Sequence, residues 1–147
     1  MATRDGYAYR DRARETVMAQ FRPMLARHDL TEQQWRVIRV LAQYGRLDAS
    51  EFGERAFILG PSLTRITRTL EERDVISRHK DEADGRRTLV ELEDSGWRII
   101  ADIYPESTKI CAYIEAEFGA ERTRTLLTLL DELASLPSEH PGRGEQR

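Results

Sequence analysis

The stretch from Gly60 to Leu92, GPSLTRITRTLEERDVISRHKDEADGRRTLVEL, constrains the fold more than any other part of this 147-residue chain. Gly60-Pro61 supplies a helix start, because proline is pre-set for the first helical position and its missing N–H costs nothing there. Leu63, Ile66 and Leu70 recur at helical spacing and form a buried stripe. Ser62, Thr64, Arg65, Arg68 and Thr69 are left on the outer face. A hairpin follows: a strand over 75–80, a charged loop over 81–85 and a second strand over 86–92. The run Arg87-Thr88-Leu89-Val90-Glu91-Leu92 is rich in β-formers, and Asp84-Gly85 is a strong turn signal.

An exposed helix beside a basic hairpin is the outline of a winged helix-turn-helix, which lays a helix in the major groove of DNA. Arginine grips guanine bidentately, and short hydroxyls reach phosphates or base edges. Ser62, Thr64, Arg65, Arg68 and Thr69 are therefore candidate DNA contacts. Arg86 and Arg87 sit where the tip enters the second strand, placed for a minor groove whose negative potential attracts arginine. Asp84 is positioned to hold Arg86 by a charge-assisted hydrogen bond. For an isolated helix, a merely solvated face would be the better reading; the adjoining hairpin shifts the balance.

The segments PSLTRITRTLEERDVISR and DGRRTLVELEDSG resemble the MarR family of bacterial transcriptional regulators. The resemblance covers nearly the whole chain. The family's wing carries an Asp-x-Arg, which falls on Asp84 and Arg86. The segments FRPMLARHDLTEQQWRVIRVL and ILGPSLTRI place the resemblance nearest the branch that regulates homoprotocatechuate (hydroxyphenylacetate) degradation operons. Two positions depart from the family pattern. Asp74 stands where glycine usually follows the recognition helix, and Glu93 stands where threonine usually opens the next one. Aspartate tolerates left-handed geometry better than most residues, and Asp94 or Ser95 is available as a cap.

The remainder of the chain is mainly helical. A first helix is expected from about Tyr7, with Ala13, Val17, Phe21, Met24 and Leu25 at three- and four-residue steps. Pro23 should kink or break it. Thr31 and Gln34 fit a capping box, with Leu30 and Trp35 as the hydrophobic staple. Trp35, Ile38 and Leu41 mark that helix's buried face, and Tyr44-Gly45 ends it. Leu47 is expected to add a short strand beside the wing. Asp48 and Glu51 signal another capped helix, 49–57, with Phe52 and Ala56 facing inward. After the wing, a long helix is expected over 95–117, bent at Pro105. Gly119 separates it from a last helix over 120–136 rich in leucine. The tail, 138–147, is polar and Pro/Gly-rich and reads as disordered.

The expected fold is thus mainly α with a small β-hairpin. A winged helix-turn-helix over 30–92 is flanked by dimerisation helices over 7–28 and 95–137, all in one unit, 1–137. The terminal helices carry more apolar surface than a small winged helix can cover. A homodimer would present two recognition helices to a palindromic operator in double-stranded DNA, with half-sites about one helical turn apart. The resemblance implies the same arrangement.

A net charge of −3 counts only weakly against DNA binding, because the acid excess lies beyond Asp102 and the preceding chain is slightly basic. No apolar run is long enough to span a membrane, the N-terminus has no apolar core of a secretory signal, and one cysteine gives no intrachain disulfide. A cytoplasmic protein without a cofactor is expected. His28, His79 and His140 lack metal-ligand spacing, and no nucleophile signature or phosphate loop points to an enzyme.

A regulator also needs a signal. Arg14, Met18, Phe21 and Arg22 on the first helix, His28 after it, and Trp35 and Arg39 on the second are candidates for a site that takes a small aromatic carboxylic acid. Such a ligand needs an arginine for its carboxylate and a flat apolar slot for its ring. On the residues alone, plain core packing and pairing of the arginines with acids such as Glu15 or Asp29 is the better reading. The resemblance raises the alternative, because family sites lie between the dimer helices and the DNA-reading part. Arg22 or Arg39 would hold the carboxylate and Trp35 the ring. Cys111 does not match the N-terminal cysteine through which some relatives sense oxidants, and reads as a small core residue. An interaction module that has lost its DNA contacts, or an oxidant sensor using Cys111, are the competing readings.

Overall fold

The computed structural model describes residues 2–137; the tail expected to be disordered, 138–147, lies outside the described residues. Among the described residues the elements run in the order α1 Ala2–Arg27, α2 Glu32–Tyr44, β1 Leu47–Asp48, α3 Ala49–Ala56, α4 Gly60–Glu72, β2 Ile76–Lys80, β3 Thr88–Leu92, α5 Asp94–Phe118 and α6 Ala120–Ala134. Two compact units divide the chain, residues 1–110 and 111–147, with the boundary inside α5.

In the first unit, α1 does not break at Pro23 but continues to Arg27. Proline's fixed φ is helical, so the cost is the missing hydrogen bond to the Ala19 carbonyl and the crowding of the ring against that carbonyl. That cost is offset because the next two residues, Met24 and Leu25, are almost fully buried. The helix ends in a Schellman motif: Leu30 N–H reaches the Leu25 carbonyl (3.0 Å), and Asp29 N–H reaches Ala26 (3.1 Å). Asp29 holds the left-handed position, φ +54°. Helix α4 ends the same way, with Val75 N–H on Leu70 (2.9 Å), Asp74 N–H on Glu71 (3.0 Å) and Asp74 at φ +56°. Asp74 thus adopts the left-handed conformation that glycine favours.

Both expected capping boxes form. Thr31 Oγ1 accepts from Gln34 N–H (3.1 Å) and Gln34 Oε1 from Thr31 N–H (3.0 Å). Asp48 and Glu51 exchange the equivalent pair at the start of α3. The buried face of α2 is Val37, Ile38, Val40 and Leu41, whereas Trp35 is only half-buried at its edge. Ile38 and Leu41 of the expected face are therefore buried, and Trp35 packs against the core from its edge.

The sheet is antiparallel in the order β1-β3-β2. Leu47 pairs with Val90 as the expected short strand, and Ile76 to Lys80 pair with Leu92 to Thr88. Inward residues Leu47, Ile76, Val90 and Leu92 join Phe52, Ala56, Leu63, Ile66 and Leu70 in one core. The hydroxyl of buried Thr67 is satisfied by the Leu63 and Thr64 carbonyls, at 2.9 and 3.0 Å.

Helix α5 starts at Asp94, and Ser95 does not cap it. The Ser95 hydroxyl instead donates to the Asp74 carbonyl, tying α5 to the end of α4. Gly96 makes a close approach there: a Cβ would lie 2.6 Å from the Val75 carbonyl oxygen and 2.8 Å from Leu92 Cδ2. The Val75 carbonyl also accepts from Glu93 N–H at 3.0 Å, so it cannot retreat freely. Gly96→Ala is therefore expected to destabilise the fold by roughly 1–3 kcal/mol, as overpacking does. Urea unfolding at fixed protein concentration measures this, and an unchanged midpoint would contradict it.

Helix α5 passes through Pro105 to Phe118, with Ile103 fully buried and Trp97 and Tyr104 exposed. In the second unit, Gly119 takes φ +104° between α5 and α6, and Arg122 lies over the Phe118 ring, 4.7 Å from its centroid. Helix α6 ends at Ala134, short of the expected Leu136, and none of its residues is buried; Leu127, Leu133 and Leu136 are more than half exposed. Cys111, expected in the core, is exposed, because α5 places it away from the face that carries Ile103 and Ile110 inward.

Candidate functional site

Helix α4 buries Leu63, Ile66, Thr67 and Leu70 against the core and so must turn Thr64, Arg65 and Arg68 outward, with Ser62 and Thr69 half-buried at the edges. Thr64 and Thr69 donate their hydroxyl protons back to the carbonyls of Gly60 (3.0 Å) and Arg65 (3.1 Å). Their oxygens thus face outward as acceptors. Among the described residues, Arg65, Arg68 and Arg86 have no ion-pair partner, whereas Arg78, Arg46 and Arg87 are paired with Glu71, Glu91 and Asp48. The positive charge on the outer face of α4 is left unneutralised.

The wing tip is built by its acids. Asp84 Oδ1 accepts from Arg86 backbone N–H (3.1 Å), and the Asp84 carbonyl from Arg87 N–H (3.0 Å). Asp84 therefore fixes the backbone of Arg86, leaving the guanidinium exposed. Asp81 repeats the device on Ala83 N–H (2.9 Å).

Arg87 has a different place from the one its sequence position implied. Its guanidinium donates to Asp48 Oδ2 at 2.7 and 3.1 Å and lies 3.8 Å from both Glu51 and Asp81. It ties the wing to the start of α3. Asp48 thus has two tasks, capping α3 and holding Arg87. Its carboxyl is kept below its ordinary value, first by the Glu51 N–H and then by the Arg87 guanidinium.

Because the folded value lies below the unfolded one, this stabilisation is complete above the ordinary value of 3.8. It is lost as pH falls through the lowered native value. Asp48→Asn keeps a cap acceptor but removes the charge. The variant is expected to be less stable at neutral pH and to lose less stability on acidification. Urea midpoints between about pH 6 and pH 2 test this, with parallel curves for parent and variant as the contrary result. Glu106, also lowered, first by its hydrogen bond from Arg27, keeps part of the acid limb in both.

A cleft of about 600 Å³ lies between the end of α1, the start of α2 and the outer side of α4, lined among others by Arg22, Leu25, Leu30, Glu32, Arg65 and Thr69. It adjoins the recognition face directly. Of the seven candidate effector residues, Arg22 alone lines it. Arg22 bridges Glu15 and Glu32, the latter at 3.1 Å, and its guanidinium is held further above its ordinary value, chiefly by the Glu15 hydrogen bond. Arg14 reaches the same Glu32 at 3.2 Å. His28 lies 3.7 Å from Glu106, which also pairs with Arg27. Met18 and Phe21 are half-buried on α1, and Trp35 packs half-buried on α2. Arg39, one turn beyond Trp35, is exposed and has no ion-pair partner among the described residues. The seven residues are therefore not gathered at one cleft. Glu32, the acid that gathers two of the arginines, carried no signal beyond its place in the first turn of α2.

Among the described residues no helix is long and apolar enough to cross a membrane, and no cluster of metal-ligating side chains occurs.

The sequence profile of the MarR family matches residues 30–88, from two residues before α2 to the first residue of β3. The chain is 40% identical over 124 residues to the HTH-type transcriptional regulator FarR of Neisseria gonorrhoeae, covering 84% of this chain and 85% of that protein. It is 38% identical over 124 residues to the homoprotocatechuate degradative operon repressor of Escherichia coli, covering 84% of each. The solved structure of NadR in complex with 4-hydroxyphenylacetate matches with a TM-score of 0.80 at 38% identity, over 87% of this chain and 93% of that one. These relatives are transcriptional regulators, not enzymes.

Proposed function

The chain belongs to the MarR family of transcriptional regulators, and from that premise we propose that it is a dimeric repressor of an aromatic-acid catabolic operon, released by a small aromatic carboxylate. The observation that carries the DNA-reading part is that Arg65 and Arg68 on the outer face of α4, and Arg86 at the wing tip, are exposed and have no ion-pair partner among the described residues. Thr64, Arg65 and Arg68 read or clamp the major groove, with Ser62 and Thr69 at the edges, and Arg86 enters the minor groove. Asp84 and Arg87 hold the wing in position rather than touch bases.

The exposed leucines of α6 and the exposed aromatics of α5 support a second copy as partner, giving two recognition helices for a palindromic operator. The effector class rests on the relatives: one is named for repression of homoprotocatechuate degradation, and another was solved with 4-hydroxyphenylacetate. Binding of such an acid favours a dimer whose recognition helices are wrongly spaced for the operator. This requires different effector affinities for the two states.

On α2, apart from the cleft that Arg22 lines, Arg39 holds the carboxylate and Trp35 lines the ring slot. Arg22 is the weaker candidate because an incoming carboxylate would have to displace Glu15 and Glu32. Arg39→Ala is expected to bind operator as the parent does and to need roughly 10- to 100-fold more effector for release, the worth of one charge-assisted hydrogen bond. Arg22→Ala should respond as the parent. Effector titrations of preformed protein–operator complexes decide this, and the reverse pattern would reassign the carboxylate to Arg22.

A further inference from the structure

The turn between α3 and α4 holds the two most exposed large apolar side chains among the described residues, Phe57 at 87% and Leu59 at 81%. Between them Ile58 is buried at 8%, so the turn alternates out, in, out and is anchored to the core. Its backbone is specific. Phe57 ends α3 in the left-handed conformation, φ +52° and ψ +42°. Leu59 is the N-cap of α4, with its carbonyl accepting from Leu63 N–H at 2.8 Å.

Each residue is an unfavourable choice for its local task. Left-handed helix ends favour glycine or asparagine, and a bulky residue there is an outlier. N-caps favour Ser, Thr, Asp or Asn, and α4 has no side-chain cap. Exposing two large apolar side chains is a third cost at the same turn. Local rules broken together, without gain to the fold, mark a working surface. This surface runs directly into the N-terminal end of the recognition helix, the part that faces base edges in this motif.

We propose that Phe57 and Leu59 are apolar base readers that pack against thymine C5-methyl groups in the major groove, beside the positions contacted from α4. The inference rests on the DNA-reading function proposed above and adds its own specificity element. Thymine's methyl group is the apolar mark of the major groove, and it is absent from cytosine. The turn offers two apolar side chains and no competing charge of its own, which suits a methyl group and not a phosphate.

The test uses the full chain and its operator, in which thymines of each half-site are replaced by deoxyuridine. This removes the methyl group and keeps every hydrogen-bonding atom. The parent is expected to lose about fourfold in affinity for each methyl group it covers. Phe57→Asn and Leu59→Ser install the residue each local conformation prefers, so the variants are expected to stay folded, with thermal midpoints equal to or above the parent's. They should bind the thymine operator more weakly than the parent and show no further loss with deoxyuridine. Binding to scrambled DNA, which depends on phosphate charge, should be unchanged. Variants that keep the parent's sensitivity to deoxyuridine, or that bind the thymine operator as tightly as the parent, overturn the inference, the latter assigning the turn to a protein partner. A parent that binds operator no better than scrambled DNA would instead overturn the DNA-reading function itself.

Discussion

The Arg65→Ala/Arg68→Ala double variant is expected to bind operator about 30-fold to 10⁴-fold more weakly, since each arginine contact to a base contributes roughly 1–3 kcal/mol of discrimination. Both side chains are exposed and neither has an ion-pair partner among the described residues, so the fold should be unaffected. The loss therefore reports on recognition. Anisotropy titrations against operator and scrambled DNA at one salt concentration separate two roles. If the arginines read bases, affinity for operator falls much more than affinity for scrambled DNA. If they clamp phosphates, both fall together and the salt slope drops by about one per residue. Full retention of operator affinity would remove α4 as the reading element.

The largest effect on stability is expected at Phe52. It is 1% exposed, on a helix of eight residues whose other buried residue is Ala56. Such a short helix has little stability of its own and persists through tertiary packing. Phe52→Ala is expected to cost roughly 3–5 kcal/mol, the transfer free energy of the ring plus the cavity left behind. That is a large part of the stability of an ordinary domain, about 5–15 kcal/mol in total. Urea unfolding should show a much lower midpoint, and operator binding should fall as α3 and its link to the wing loosen. A midpoint close to the parent's would mean that the core collapses around the site. It would contradict α3 as the support of α4.

What was legible in the sequence was local. The capping boxes at Thr31 and Asp48 were readable because their partners lie three residues away, and α4 because Leu63, Ile66 and Leu70 share one face. The left-handed position of Asp74 follows from a helix that must end where its buried stripe ends, whereas that of Asp29 is shown only by the structure. Glu15 as a partner of Arg22 was foreseeable from its place on the same helix. Asp48 and Arg87, in contrast, are separated by 39 residues. Their contact depends on the register of β1 on β3, which places Asp48 opposite Leu89. The same limit hid Glu32 as the common partner of Arg14 and Arg22. On α2 the sequence places Ile38 and Leu41 correctly in the buried stripe, while Trp35, one turn earlier, packs against the core only partly buried. Pro23 suggests a kink or a break, yet α1 continues to Arg27, where burial of Met24 and Leu25 offsets what proline costs the helix.

The most direct test of the central claim is a titration of the purified protein against the DNA upstream of its own gene. It would be run at fixed salt, with and without 4-hydroxyphenylacetate and related aromatic acids. The account predicts tight, salt-dependent binding that one of these acids releases. Binding at the level of scrambled DNA, or tight binding that no aromatic acid disturbs, would contradict it, the first at the level of DNA reading and the second at the level of the signal.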